Sequence, residues 1–181
     1  MPIIMPSPST GKEPKIPDSV YIAPTATIIG DVTIGEESNI WFGAVLRGDQ
    51  GPISIGRKTS VQENVTIHME KNTSVDIGSN VIIGHHAMIH GPVKIGDGCL
   101  IGIGSNVLHN TKMNKGSMIA AGAVITNNEI PSRQLWAGVP AKFLKNLKEE
   151  EQLVGEKTAG EYANKGKKFK EFFEEHPKFS E

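Results

Sequence analysis

The chain has 181 residues, a length that suggests a single domain. Its 19 lysines and arginines nearly balance its 20 aspartates and glutamates, so the formal net charge of −1 gives no argument for binding nucleic acid or an anionic membrane. A single cysteine excludes an internal disulfide, and no apolar run is long enough to cross a membrane. Residues 1–6 are too short and too proline-rich for a signal sequence, so we expect a cytoplasmic protein.

After an N-terminal extension, residues 1–15, a six-residue repeat occupies residues 16–143. Its first position is Ile, Val, Leu or Met, and its fifth position is almost always small. The frame slips at residues 50–52 and again at residues 69–76, directly after His68. A fixed period of this length predicts a parallel β-helix, in which three short strands form a triangular coil and each coil buries its apolar edge on the next.

Counting faces along the repeat places His68 and His90 on one edge, one coil apart, with Arg47 beneath His68. Stacked strands are about 4.8 Å apart, and two nitrogens on one tetrahedral zinc are roughly 3.3 Å apart, so the pair can bind one metal with little adjustment. His85 lies on the preceding face, too far round the prism to join them within one chain. In a closed ring of three copies, His85 of one chain would meet the His68–His90 pair of the next.

From residue 144 to residue 181 the pattern becomes helical, and Gly155, Gly160 and Gly166 predict breaks that divide this segment into two or three helices. A helix laid along the prism would cover an open edge of the β-helix. The preceding segment, 138–142, is a Gly-x-Pro-Ala-Lys exit that is common among hexapeptide proteins of several activities. It therefore supports the fold and not a function.

Three segments carry a family resemblance: Arg47-Gly48-Asp49, residues 62–68 and residues 84–90. They resemble the γ-class carbonic anhydrases and their close homologues, whose metal ligands are one His after a Gln-x-Asn segment, then the His of a Gly-His pair and a His five residues further on. All three ligand positions match, at His68, His85 and His90. The resemblance covers about residues 15–165. It implies a left-handed β-helix and a homotrimer with zinc at the subunit interfaces, although Fe2+ or Co2+ could bind the same imidazoles.

The resemblance also implies roles for other residues. Gln62 matches a glutamine that orients metal-bound water. Independently of the resemblance, each ligand needs a partner that fixes its tautomer, and Gln62 and Asn64 are the candidates. Arg47 and Asp49 match a pair that forms an intersubunit salt bridge. The alternative for this pair is an ordinary surface contact worth under about 1 kcal/mol.

Two residues of the helical segment also match residues of the family. Tyr162 and Asn164 match a Tyr-x-Asn sequence near the family's active site. Tyr162 could instead anchor the helix on the prism.

Three imidazoles with an open fourth position form a catalytic zinc arrangement. Zinc would lower the pKa of a bound water to about 7, a magnitude taken from carbonic anhydrase of another fold, and the hydroxide would convert CO2 reversibly to bicarbonate. Two departures predict low activity. Gln50 replaces an acidic residue of the archetype, and the loop after His68 is short, so Glu70 is its only early acid and the candidate proton carrier.

Two other functions stay open. A CoA-dependent acyltransferase or thioesterase on the same fold would need a CoA groove and a catalytic histidine outside the metal site, for which His109 is the obvious candidate. A non-catalytic trimeric metal-binding or assembly protein would keep the three ligands for stability, because a metal at an interface stabilises the trimer. The sequence favours the carbonic anhydrase, acting on CO2 and bicarbonate without nucleic acid or membrane.

Overall fold

In a computed structural model the chain is a left-handed parallel β-helix with one C-terminal helix. The structure describes residues 1–179, apart from the side chains of residues 152 and 153. Its strands are short and occur in regular succession. In chain order they are β1 (Ile3–Met5), β2 (Tyr21–Ile22), β3 (Thr27–Ile34), β4 (Asn39–Ile40), β5 (Val45–Ile55), β6 (Ser60–Val61), β7 (Thr66–Met69), β8 (Val75–Ile77), β9 (Ile82–Ile83), β10 (Met88–Gly91), β11 (Val93–Ile95), β12 (Leu100–Ile101), β13 (Asn106–Val107), β14 (Thr111–Met113), β15 (Met118–Ile119), β16 (Val124–Ile125), β17 (Glu129–Ile130), β18 (Gln134–Gly138) and β19 (Ala141–Asn146).

The strands form three faces of a prism. One face, the helix face, contains β2, β4, β6, β9, β12, β15 and β18 in parallel, with β19 added antiparallel at its end. The histidine face contains β7, β10, β13 and β16, and the third face contains β8, β11, β14 and β17. Strands β3 and β5 run through the corner between these last two faces, so both faces belong to one sheet.

The core is a column of large aliphatic side chains inside the prism. The first position of each repeat points inward, as the repeat predicts, and burying it provides the main stabilisation because a single coil has no core of its own. Small fifth-position residues such as Ala44, Val65 and Ala87 are also buried. The largest fully buried side chains include Ile28, Leu46, Ile67, Ile89, Ile40, Ile83, Ile101, Ile95 and Met113.

Both ends of the β-helix carry added strands. The N-terminal extension supplies β1, which pairs in parallel with β3 so that Ile3 lies beside Thr27. At the other end, β19 extends to Asn146 and the helix, α1 (Glu149–Glu175), begins at Glu149. The start of α1 is stabilised by the acidic residues of its first turn, and the Lys148 backbone N–H donates to Glu151 Oε2 at 2.8 Å. A short 3-10 helix, Pro177–Phe179, follows.

The predicted breaks in the C-terminal segment are wrong, because α1 is one continuous helix of 27 residues. The reason is packing. A Cβ on Gly155 would lie 2.5 Å from Gly98 O, and a Cβ on Gly166 would lie 3.0 Å from Asn39 Cβ. These glycines therefore let α1 approach the helix face closely, and tertiary packing overrides their low helix propensity. Within the described residues, no helix has the length and apolar character needed to span a membrane.

Candidate metal centre

The β-helix register brings two of the predicted ligands together. His90 on β10 is the direct pairing partner of His68 on β7, as counting faces predicts. The two ring centroids are 5.6 Å apart, and the ring planes cross at 77°. Both side chains follow inward-pointing isoleucines, Ile67 and Ile89, so they point outward at the same edge. Two imidazoles are therefore available to one ion at this edge.

The tautomer of His68 is set by the coil below. His68 Nδ1 lies 2.8 Å from the carbonyl oxygen of Arg47, which can only accept a hydrogen bond, so Nδ1 carries the proton. Nε2 then keeps its lone pair and can ligate a metal. Arg47 lies beneath His68 because Leu46 on β5 pairs with Ile67 on β7.

His85 lies at a different corner, in the turn between β9 and β10. It is held by two residues of the coil beneath it. Gln62 Oε1 accepts a hydrogen bond from the His85 backbone N–H at 3.2 Å, and Gln62 is itself buried, with 4% of its surface exposed. Glu63 Oε2 lies 2.5 Å from His85 Nδ1. Gln62 therefore holds the backbone of His85, and the adjacent residue Glu63 lies against its ring.

His86 next to it is a turn residue. Its φ of 59° is in the left-handed region, as is the φ of Asn64 one coil below, at 60°. The Asn64 amide nitrogen lies 3.5 Å from His86 Nε2, so Asn64, predicted to support a ligand, approaches His86 instead. This corner needs a residue that tolerates positive φ, and Gly104 occupies the same position one coil above.

One chain does not assemble the three predicted ligands. Among the residues that the structure describes, no group of three His, Cys, Asp or Glu side chains could hold a metal ion. Within one chain, His68 and His90 are thus the only two of the three predicted ligands that lie together, and His85 lies at another corner of the prism. These residues fit an ion shared between copies and do not fit an ion held within a single chain.

Arg47 and Asp49 form a salt bridge within the chain. Arg47 Nη1 donates to both carboxylate oxygens of Asp49, at 3.0 and 2.9 Å, and 42% of the Arg47 side chain is exposed. Asp49 Oδ1 also lies 3.7 Å from His68 Nδ1. Asp49 therefore connects Arg47 to the histidine edge. The intersubunit role predicted for the two residues remains a prediction.

The remaining predicted residues are dispersed. Glu70 is exposed in the turn after β7, where its carbonyl accepts a hydrogen bond from Thr73 Oγ1 at 2.7 Å. Tyr162 on α1 packs edge-on against Trp41, with centroids 5.7 Å apart. Asn164 faces another side of the helix, where it lines a crevice with Ser19. Tyr162 and Asn164 therefore do not converge on one point within the chain that the structure describes.

Tyr162 nevertheless lies close enough to Glu63 to be affected by its charge. Burial raises the pKa of Tyr162, and the negative charge of Glu63 raises it further. Glu63 is not among the site residues predicted from the sequence, although the repeat contains a signal for it. Gln62 lies beneath Gly84, so the next residue in each coil places Glu63 beneath His85, by the same counting that placed Arg47 beneath His68.

Comparisons with known proteins identify the family of this chain. A family model described as bacterial transferase hexapeptide (six repeats) matches residues 13–48 and 92–127. Mitochondrial γ carbonic anhydrase 2 of Arabidopsis thaliana is 40% identical over 161 residues, which are 84% of this chain and 57% of the plant protein. A carbonic anhydrase of Geobacillus kaustophilus is 37% identical over 163 residues, 90% of each chain.

Solved structures share the fold over nearly the whole chain. A Bacillus cereus protein provisionally named an acetyltransferase superposes with a TM-score of 0.89 at 35% identity, covering 94% of this chain and 98% of that one. The chain spans little more than half the length of the plant relative but nine-tenths of the Geobacillus protein. On the identity to that relative over almost its full length, the chain belongs to the γ-carbonic anhydrase family of hexapeptide-repeat proteins.

Proposed function

We propose that this chain is a metal-dependent carbonic anhydrase of the γ type, which hydrates CO2 reversibly to bicarbonate. The observation that carries the proposal is the pairing of His68 with His90 on one edge, with the His68 tautomer fixed by the Arg47 carbonyl. Two imidazoles oriented in this way provide two of the three ligands of a catalytic zinc arrangement. The relatives named carbonic anhydrase support the same chemistry.

The third ligand would come from His85 of a neighbouring copy. γ-Carbonic anhydrases and other hexapeptide β-helix proteins generally form trimers. The surface of the histidine face suits such contact, because its half-buried outward residues include the apolar Val45, Met88, Leu108 and Val124, with the uncharged Thr66 and Asn106 between them. A homotrimer with three shared metal sites follows from closing this contact into a ring.

The third face of the prism provides the contrast. Its outward positions on stacked strands are charged and exposed: Asp76, Lys94, Lys112 and Glu129. Charged side chains of this kind are depleted at the centre of interfaces. The histidine face, whose stacked outward row from Val45 to Val124 is uncharged, is therefore the better surface for a second copy.

The family implies a metal cofactor, and we propose zinc, with Fe2+ and Co2+ as alternatives that imidazole ligands also accept. When bound, such an ion supplies hydroxide at neutral pH by lowering the pKa of water. The chain's own residues would do the rest. Gln62, beside His85, would orient the reacting water, Asp49 and Arg47 would support the edge that carries His68, and exposed Glu70 would pass the proton to solvent.

A second candidate is a CoA-dependent acyltransferase or thioesterase, which the Bacillus cereus structure favours by its name. His109 would be the catalytic histidine. It lies in the turn between β13 and β14, where its carbonyl oxygen accepts a hydrogen bond from Thr126 Oγ1 at 3.2 Å. A third candidate is a trimeric metal-binding or assembly protein without catalysis. A cytoplasmic location remains a prediction.

Stopped-flow CO2 hydration tests the proposal. The protein would be purified anaerobically and reconstituted separately with Zn2+, Co2+ and Fe2+, with metal content measured on each sample. We expect hydration that rises with metal occupancy, at a low rate, and that is unchanged in His109→Ala. Full occupancy without hydration would refute the carbonic anhydrase and favour the assembly protein. Hydrolysis of an acyl-CoA by the wild type that is lost in His109→Ala would favour the second candidate.

A further inference from the structure

Among the ion pairs of the described residues, the His85–Glu63 contact is the closest approach of a carboxylate to any of the three predicted ligands. Glu63 Oε2 is 2.5 Å from His85 Nδ1, whereas Asp49 Oδ1 is 3.7 Å from His68 Nδ1. The contact joins the same positions of two successive coils, since the His86 backbone N–H donates to the Glu63 carbonyl at 2.9 Å. The β-helix register therefore holds the carboxylate beneath the ring.

Glu63 Oε2 has no better partner. It is shielded from solvent, and among the described residues it makes no well-aligned hydrogen bond. No lysine or arginine of the described chain forms an ion pair with it. A shielded carboxylate oxygen without a donor is costly, because its hydration is lost and not replaced. The Nδ1–H of His85 is the donor within reach that can replace the lost hydration of this oxygen.

The aromatic residues beside Glu63 do not neutralise its charge. Burial raises the pKa of Tyr21, and the charge of Glu63 raises it further, as it does for Tyr162. Both phenols therefore stay protonated and neutral at physiological pH. Lys165 Nζ lies over the rings of Trp41 and Tyr162, at 5.7 and 5.2 Å from their centroids, and is exposed to solvent. The negative charge remains available to the imidazole.

We propose that Glu63 is the positioning residue of His85. Its carboxylate accepts the Nδ1–H of the ring, fixes that tautomer and so leaves the Nε2 lone pair for an ion held by His68 and His90 of a neighbouring copy. This inference rests on the proposed metal site. The Arg47 backbone carbonyl accepts the Nδ1–H of His68, and in this proposal the Glu63 side chain accepts the Nδ1–H of His85 in the same way.

The two histidines differ in how the support can be lost. A backbone carbonyl is present whatever residue occupies position 47, but the support of His85 depends on the side chain at position 63. Partners of this kind change metal affinity by about 10- to 100-fold. In the described chain, Glu63 is the one side chain that supports a predicted ligand ring at hydrogen-bonding distance. The metal site shared between copies is therefore most sensitive to substitution at Glu63.

The first test needs no metal. The protein is labelled with nitrogen-15 at its histidines and kept metal-free at about pH 8.5, where an ordinary imidazole is neutral. Long-range proton–nitrogen correlation spectra then distinguish the two neutral tautomers of each ring. We expect His85 in the Nδ1–H form in the wild type and in Glu63→Gln, whose amide oxygen still accepts. Glu63→Ala should shift His85 toward the Nε2–H form. A wild-type His85 in the Nε2–H form would overturn the proposal.

The second test measures Zn2+ affinity by competition with a chelator. Glu63→Ala should weaken binding by about 10- to 100-fold, Glu63→Gln should recover most of the loss, and the exposed control Glu13→Gln should match the wild type. If Glu63→Ala does not fold, Glu63→Leu fills a similar volume without an acceptor and carries the same expectation. Unchanged affinity in a folded Ala or Leu variant would refute the positioning role.

The two tests separate the inference from the proposed function. A wild type that binds no metal would refute the metal site, while the tautomer of His85 would still report whether Glu63 controls the ring. A wild type that binds metal and an unaffected Glu63→Ala variant would refute only the positioning role.

Discussion

His68 and His90 are direct partners on neighbouring coils, with their ring centroids 5.6 Å apart. The third predicted ligand, His85, lies five residues before His90 in a turn at a different corner of the prism. A metal that uses all three must therefore join two copies of the chain. Binding and assembly are then linked, because an ion that binds only the assembled form stabilises that form.

His85→Ala should remove the metal as completely as His68→Ala does, although His85 does not contact the His68–His90 pair within the described chain. The reason is that two imidazoles leave the ion with too few ligands for tight binding. Metal content measured by mass spectrometry should fall to background in both variants. Sedimentation velocity in metal-containing buffer should show weaker assembly into the proposed trimer than in the wild type.

His86→Asn is the matched control for that experiment. His86 is adjacent in sequence but has a φ of 59°, a conformation that asparagine tolerates better than alanine. We expect wild-type metal content and assembly. Stoichiometric metal retained in His85→Ala would contradict a site shared between copies.

Arg47→Ala should weaken the proposed trimer without removing the His68 support, since that support is a backbone carbonyl. Arg57→Ala is the matched control, because Arg57 forms a comparable ion pair with Glu37, at 3.0 Å, away from the histidine face. Exposed pairs of this kind contribute about 0–1 kcal/mol to the stability of a chain. Concentration-dependent sedimentation should show dissociation at higher protein concentration for Arg47→Ala alone. Equal behaviour of the two variants would make Arg47–Asp49 an ordinary surface pair.

The repeat made the register of the site predictable from sequence. Every coil adds one strand to each face, so residue spacing alone placed His90 over His68 and Gln62 beneath the turn of His85, and the pairing confirms both. The Glu63 contact could have been reached by the same counting. What counting cannot give is the rotamer that turns the carboxylate toward Nδ1 and away from solvent.

The helix was less predictable because its course depends on contacts made far away in sequence. Glycine lowers helix propensity by about 1 kcal/mol, which favours a break at Gly155 and Gly166 when only local sequence is considered. The structure uses both glycines for close approach to the helix face. The same helix separates Asn164 from Tyr162, since two residues along a helix face nearly opposite directions.

The glycines of α1 give a direct test of this explanation. Gly155→Ala should destabilise the fold by about 1–3 kcal/mol, because its Cβ would lie 2.5 Å from Gly98 O. Gly160→Ala meets nothing within 4 Å and should instead stabilise the helix by up to about 1 kcal/mol. The free energy of unfolding from urea titration measures both. Similar effects of the two substitutions would show that close packing does not decide which glycines are needed.

Glu70→Gln tests the proton route. If the exposed carboxylate in the turn after β7 carries protons to solvent, turnover of CO2 should fall in dilute buffer and recover when imidazole is added as an external carrier. Glu150→Gln, exposed at the start of α1, should leave turnover unchanged at every buffer concentration. Unaltered turnover of Glu70→Gln in dilute buffer would exclude this role.

Tyr21→Phe should change the dependence of stability on pH. Burial raises the pKa of Tyr21 above its ordinary value of about 10, and the charge of Glu63 raises it further. Above about pH 10 the unfolded chain loses this proton while the folded chain keeps it, so the free energy of unfolding falls as pH rises. Tyr21→Phe should reduce that fall, leaving the contribution of Tyr162, whose pKa is raised by the same causes.

At neutral pH the same substitution should cost little. The hydroxyl of Tyr21 is buried without a hydrogen-bond partner among the described residues, and phenylalanine keeps the ring contact with Trp41, whose centroid is 5.2 Å away. Removing an unsatisfied hydroxyl should leave the free energy of unfolding equal or up to about 1 kcal/mol higher. Urea titrations at about pH 7 and about pH 10.5 measure both effects. A loss of more than about 1 kcal/mol at neutral pH would mean that the hydroxyl is satisfied by an ordered water between α1 and the helix face.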